Sequence, residues 1–236
     1  MRWGRGHAEL RDRRRGRAMA LAALAAGIAL MVLAAPRFLS GLHLADGDPV
    51  LRQLNADRGV GFGAIVLAAN ERAAAAGIHA APGPLADLAA LRLVQASLTD
   101  DPRLRRAMLD RTIEAADSAL ALAPVQPFVW ANLAAARLAR DGPDRAFNVA
   151  LAQSMRMAPH EPRLLLRRLD LALDAWDWLD AATRAIAAGQ IRLAARTNAD
   201  GLALVARRRF ALAIVRAELA HDPAPLAEVD RAFNRR

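Results

Sequence analysis

The sequence predicts an all-α protein, with one N-terminal transmembrane helix followed by stacked helical hairpins. Three observations predict it. Residues 18–36 contain no charged side chain. Beyond them, apolar residues recur at helical spacing between turns of Pro, Gly and Asp. No stretch alternates with period two over a useful length, Val, Ile and Thr are sparse, and no Asn-Gly hairpin signal occurs.

The apolar run of 19 residues is close to the roughly 20 needed to cross about 30 Å of hydrocarbon. Leu21, Leu24, Ile28, Leu30, Met31, Val32 and Leu33 carry most of its hydrophobicity. Pro36 is expected to end the helix where the interface begins. Two rival readings are a signal peptide cleaved after Ala34 or Ala35 and a buried core helix. Residues 1–17 form a basic tail with seven arginines against Glu9 and Asp12, a balance of +5. The positive-inside rule leaves this tail in the cytoplasm and sends the rest across. In a bacterium that is an inner-membrane protein with its main domain in the periplasm. The tail is too polar to bury itself and is expected to be disordered or to lie on the anionic leaflet.

The chain of 236 residues leaves 200 beyond the anchor, enough for a substantial domain and a real core. All 33 basic residues are arginine, and tyrosine, lysine and cysteine are absent. With so much alanine, this reads as the codon bias of a GC-rich bacterium. Five of the nine net positive charges lie in the tail, and the remaining four are interspersed with acids. That distribution argues against a nucleic-acid partner. The absence of cysteine excludes a disulfide framework, a cysteine metal site and a lipidated cysteine.

Residues 37–84 read as a linker and short helices. Residues 37–47 are the juxtamembrane linker, and Asp48-Pro49 starts a helix that runs to Asp57. Gly59, Gly61 and Gly63 form a hinge, since neither a Lys-Ser pair nor a strand accompanies them. A helix of about four turns follows and stops at Gly77. Helices are then expected over 85–98, 102–122, 127–138 and 144–157, and from Pro162 through Leu173, with prolines at their ends. Residues 176–236 form a C-terminal helical cap, with helices over 178–188, 190–206 and near 208–220, then a final short one. The pentad DRAFN occurs at 144–148 and 230–234, both read as capped helix starts.

A repeat organises residues 85–175. A shift of 35 places Leu120 on Met155, Leu122 on Met157, Ala123 on Ala158, Pro124 on Pro159 and Pro127 on Pro162. Each block ends one helix, turns on proline and starts the next. Trp130, Leu133 and Ala134 have the first-helix spacing of a tetratricopeptide repeat. Ala146 and Ala150 sit near its second-helix small positions, and Ala119, Leu120, Leu122 and Pro124 match its ending. The chain therefore resembles the tetratricopeptide-repeat (TPR) family, departing from it at Arg137 and at Pro159, which falls one residue late. The resemblance implies a TPR-like right-handed superhelix of helix pairs whose concave face binds peptides or partner proteins, without catalysis. The candidate partner-binding or repeat-packing residues are Trp130, Leu133, Ala134, Phe147, Pro124, Pro159, Trp176 and Trp178.

No two histidines stand at i, i+3 or i+4, and no serine lies in a Gly-x-Ser-x-Gly elbow. Asp170 and Asp174 share a helix with Arg167 and Arg168 and read as surface ion pairs. Trp176 and Trp178, on either side of Asp177, suit a capping or core role better than a stacking platform for sugar or peptide. The reading is a non-enzymatic, membrane-anchored scaffold with no cofactor and no metal. Its expected partner is a membrane-embedded envelope complex, by analogy one of polysaccharide synthesis or export. A secreted periplasmic repeat protein with a cleaved signal is the first alternative. A glycan-processing envelope enzyme, with facing acids at Asp170 or Asp177, is the second.

Overall fold

A computed structural model describes residues 5–56 and 58–235. The described residues form eleven α-helices and one short 3-10 turn, without a strand.

Helix α1, Arg5–Asn55, is 51 residues long and contains both Pro36 and Pro49. At 1.5 Å per residue it extends about 76 Å. Four expectations are corrected here. Residues 5–17 continue the helix rather than forming a disordered tail. Pro36 does not end the span. Residues 37–47 are not a linker. The helix expected from Asp48 is the continuation of the same rod. Met19–Leu44, 26 residues, is long and apolar enough to cross a membrane; its most apolar 18-residue window has mean hydropathy 2.2 and holds no buried residue.

The rod runs on through both prolines, and beside each gap an arginine bonds a neighbouring carbonyl. Proline lacks the N–H that would bond the carbonyl four residues back and crowds that carbonyl. The Arg37 guanidinium donates to the carbonyl of Leu33, next to the one Pro36 leaves unserved, at 2.9 Å. At Pro49 the donor comes from another helix. Arg72, on α2 (Phe62–Ile78), donates to the carbonyl of Leu44 at 2.9 Å and to the carboxylate of Asp48. It also reaches Asp87 on α3 (Pro82–Ser97), and only 1% of it is exposed. Ser40 adds a buried bond to the carbonyl of Ala75 at 3.1 Å. The stretch of α1 beyond Ser40 is therefore built into the domain.

The rest of the chain proceeds through α4 (Pro102–Leu122), α5 (Pro127–Asp141), α6 (Arg145–Met157) and α7 (Pro162–Asp174). A 3-10 turn, Trp176–Trp178, leads to α8 (Ala181–Thr197), α9 (Ala199–Arg208), α10 (Leu212–Glu218) and α11 (Pro223–Asn234). The starts follow local chemistry. Asp101, Asp144 and Asp180 accept main-chain N–H bonds at the heads of α4, α6 and α8. Pro82, Pro127 and Pro162 open α3, α5 and α7, where the missing N–H costs nothing. The expected break near residue 189 lies instead at Asn198, whose side chain accepts from the N–H of Gly201. The second DRAFN is the tail of α11, not a helix start. Its Asp230 pairs with Arg216.

From α1 to α6, consecutive helices pack as antiparallel hairpins. Gln95 near the end of α3 reaches the carbonyl of Ile65 near the start of α2, and Ser154 near the end of α6 reaches the carbonyl of Pro127. Alternate helices also touch: α3 with α5, α5 with α7, and α7 with α9. Three apolar cores result. Ile65, Ala68, Ala69 and Leu91 pack with Val50, Leu51 and Leu54 of α1. Leu133, Phe147, Leu151 and Met155 centre the middle core, and Leu169, Ile191, Leu202 and Val215 the last. Alanine dominates the contact positions, so the helices approach closely; large side chains then plug the junctions.

Candidate functional site

Helices α1, α3, α5 and α7, with α4, line a shared groove. The groove has a volume of about 740 Å³ and is lined by Leu51, Leu54, Val94, Asn132, Ala135 and Arg167, among others. Its side chains come from α1, α3, α4, α5 and α7. Most of the wall is small or apolar, and two cations interrupt it. Arg105 is held in place by two bonds to the carbonyl of Thr99, at 3.0 and 2.8 Å. Arg167 pairs with no acid among the described residues, and burial lowers its guanidinium pKa. Asn132, nearly buried, makes no side-chain hydrogen bond among the described residues and lines the groove. The arrangement suits a chain with apolar side groups and a negative or hydrogen-bonding centre near Arg167 and Asn132. It offers no nucleophile–base pair.

The candidates named from sequence divide into four groups. Leu133, Ala134 and Phe147 are buried in the middle core among neighbouring helices. Trp130 and Trp176 pack against that core from its rim. The Trp130 indole N–H donates to the carbonyl of Pro124 at 2.8 Å, and the Trp176 ring lies 5.8 Å from the Arg184 guanidinium. The two prolines contribute carbonyls: that of Pro159 accepts from Gln190 at 2.7 Å. Trp178 stands apart, 69% exposed. A second, smaller hollow of about 500 Å³ lies over Trp130, Leu133, Arg137 and Asp144.

Asp170 and Asp174 do not pair with Arg167 or Arg168. Their partners come from the end of α9: Arg208 and Arg209 reach Asp170 at 2.6 and 2.8 Å, and Arg209 reaches Asp174 at 2.7 Å. Burial pulls the Asp170 carboxyl upward, but the bonds from Arg209 and Arg208 outweigh it and leave the pKa below the ordinary carboxylate value. Immediately after this clamp, Phe210 adopts φ 53 and is 96% exposed. A bulky residue in the left-handed region is uncommon. The carbonyls and carboxylates around Asp177 do not face Asp170 across a cleft among the described pockets.

Sequence reasoning missed the buried polar residues that join neighbouring helices. Arg168 is 0% exposed, donates to the Ser154 hydroxyl at 3.0 Å and to the carbonyl of Ala158 at 2.8 Å, and is pushed down to about 10 by burial. Asn148 donates to the carbonyls of Asp144 and Trp178 and accepts from the N–H of Asp180. Neither has a periodic signature. A hint for Asn148 was its place in the pentad that follows the Asp144 cap.

The fold and the groove define a class: an all-helical protein of packed hairpins, carried on one long N-terminal helix of membrane-spanning length and composition. Compared with family models, curated proteins and solved structures, the chain matches none. No group of three or more metal-ligating side chains occurs among the described residues.

Proposed function

We propose that the protein is a non-enzymatic scaffold, anchored once in a bacterial inner membrane, whose TPR-like periplasmic domain binds a protein partner. The observation that carries this reading is the shared groove of α3, α5 and α7. It is built from one face of successive hairpins, where a repeat domain presents its side chains to an extended segment. The 35-residue period of proline turns and the contacts between alternate helices support the TPR-like reading. The arginine excess of residues 1–17 supports a cytoplasmic N-terminus. The apolar run of α1 supports a partner in or beside the membrane, and an envelope complex fits that location.

The test is affinity purification of the full chain from membranes in mild detergent. The expected result is co-purification of a multi-span membrane protein, lost in an Ala135→Arg variant that fills the groove but keeps the helical circular dichroism. Recovery of a lone protein, or retention of the partner by the filled groove, overturns the reading.

A further inference from the structure

The two edges of the helical domain differ in chemistry. Antiparallel packing puts the α2–α3, α4–α5 and α6–α7 turns on the side toward which the span of α1 leaves, and the α3–α4, α5–α6 and 3-10–α8 turns on the far side. The far turns are acidic, with Asp100, Asp101, Asp141, Asp144, Asp177 and Asp180. The span-side turns hold a single acid, Glu161.

Helix capping alone does not account for this. An aspartate is among the best N-caps and also favours the helix dipole. The even helices use it at the far edge. At the span side, α3 and α5 start from Ala81 and Gln126, which make no side-chain cap bond. Both edges expose apolar side chains, with Leu98, Trp178 and Phe210 on the far one, but at the span side Ile78, Leu122, Val125 at 74% and Phe128 stand without aspartates beside them. The guanidinium of Arg163 lies 5.8 Å from the Phe128 ring.

The register sets the height of this edge. Ser40 is level with Ala75, Arg72 with Asp87, and Arg92 with Met108, through the bonds that join them. Counting along those pairs, Leu122 reaches about six residues, or roughly 9 Å, further toward the span than Ser40. That is beside the last apolar turn before Pro36. The exposed side chains of Phe38, Leu39 and Leu42 continue the same surface on α1.

We propose that this acid-poor apolar edge, formed by the α2–α3 and α4–α5 turns, is seated in the headgroup layer of the bilayer that α1 crosses. The inference rests on the membrane-anchored reading and adds a second contact to it. Anionic phosphates would repel aspartates there and attract Arg163, and the exposed Leu122, Val125 and Phe128 would lie in the interface. The domain then lies against the membrane rather than standing away from it.

The absence of native cysteine permits single spin labels on the full chain in vesicles of mixed zwitterionic and anionic phospholipid. Labels at Leu122→Cys and Val125→Cys are expected to be shielded several-fold from a water-soluble nickel chelate and opened to oxygen. A label at Phe210→Cys, on the far edge, is expected to remain aqueous. Ile28→Cys, within the span, is the control. If Ile28→Cys is shielded while Val125→Cys matches Phe210→Cys, the seated edge is overturned and the anchor stands. If Ile28→Cys itself stays aqueous, both fall.

Discussion

The guanidinium of Arg72 lies 2.9 Å from the main-chain carbonyl of Leu44, one turn before Pro49. A buried arginine on α2 thus bonds a carbonyl of α1 next to the one that Pro49 leaves without an N–H. The same group binds Asp48 and Asp87, so three helices meet on one side chain.

Removing that side chain is expected to loosen the seat of α1. Arg72→Ala should cost about 2–4 kcal/mol, because a carbonyl and two carboxylates lose their donor. Arg72→Lys should recover less than half, since an ammonium lacks the planar fork. Urea denaturation in detergent gives the energies. Hydrogen exchange over residues 40–55 should accelerate in both variants, and unchanged exchange there would contradict the bracing role.

The clamp on Asp170 predicts an acid dependence. Its folded pKa lies below the unfolded one, so its contribution is present above the unfolded value, about 3.9. That contribution is lost as pH falls through the lower, folded value. Asp170→Asn should lower stability by roughly 1–3 kcal/mol near neutrality. The gap from the native protein should hold steady above about pH 5 and shrink below about pH 4. Denaturation midpoints across a pH series check this, and a gap independent of pH would exclude the carboxylate as its source.

Gly201 predicts an inverted helix propensity. In a free helix, alanine outperforms glycine by about 1 kcal/mol. Here a Cβ would collide with a methyl of Leu166 and approach the Asn198 side-chain oxygen at 2.7 Å. That oxygen caps α9 by accepting from Gly201 itself. Gly201→Ala should therefore destabilise by about 1–2 kcal/mol, through loss of the cap and displacement of Leu166. A thermal melt that rises instead would show that the turn relaxes freely.

Phe210 predicts a stabilising substitution. Its ring is in solvent, and its φ of 53 carries the left-handed penalty. Phe210→Asn should raise stability by about 0.5–1 kcal/mol, because asparagine tolerates that conformation. A loss of stability in calorimetry would mean that the ring makes an intramolecular contact in solution.

Arg167 predicts a partner effect separable from folding. Charge reversal in Arg167→Glu should leave the thermal midpoint within a few degrees. Co-purification of the protein partner should fall at least about tenfold, a change of about 1.4 kcal/mol in affinity. An unaffected yield of partner would place the interaction elsewhere.

Much of the helix pattern was legible because its signals are local. Asp101-Pro102, Pro127, Asp144 and Pro162 each mark a helix head, and helices start there. Pro36 and Pro49 misled for the same local reason: proline ordinarily ends a helix, and the bonds made beside them come from arginine side chains, one of them on α2. Arg168 looked like a surface partner of Asp170 because arginine carries no periodic mark of burial. Its neighbour Arg167 reaches the groove, whereas Arg168 holds two helices together. The core members Leu133, Ala134 and Phe147 were visible as helical apolar positions, but a single chain pattern could not separate packing from binding. Trp178 and Phe210 became distinct only when the turns placed them in solvent.

The rod from Met19 into the domain has a mechanical consequence. The portion of α1 beyond Ser40 is about 24 Å long and is stitched to its neighbours, so on the membrane-anchored reading proposed above it would act as a lever fixed at the membrane surface. A tilt of about 10° in the span would then swing its far end by roughly 4 Å, carrying the groove with it. On that reading the aim of the groove would be set from the span, by whatever holds it upright.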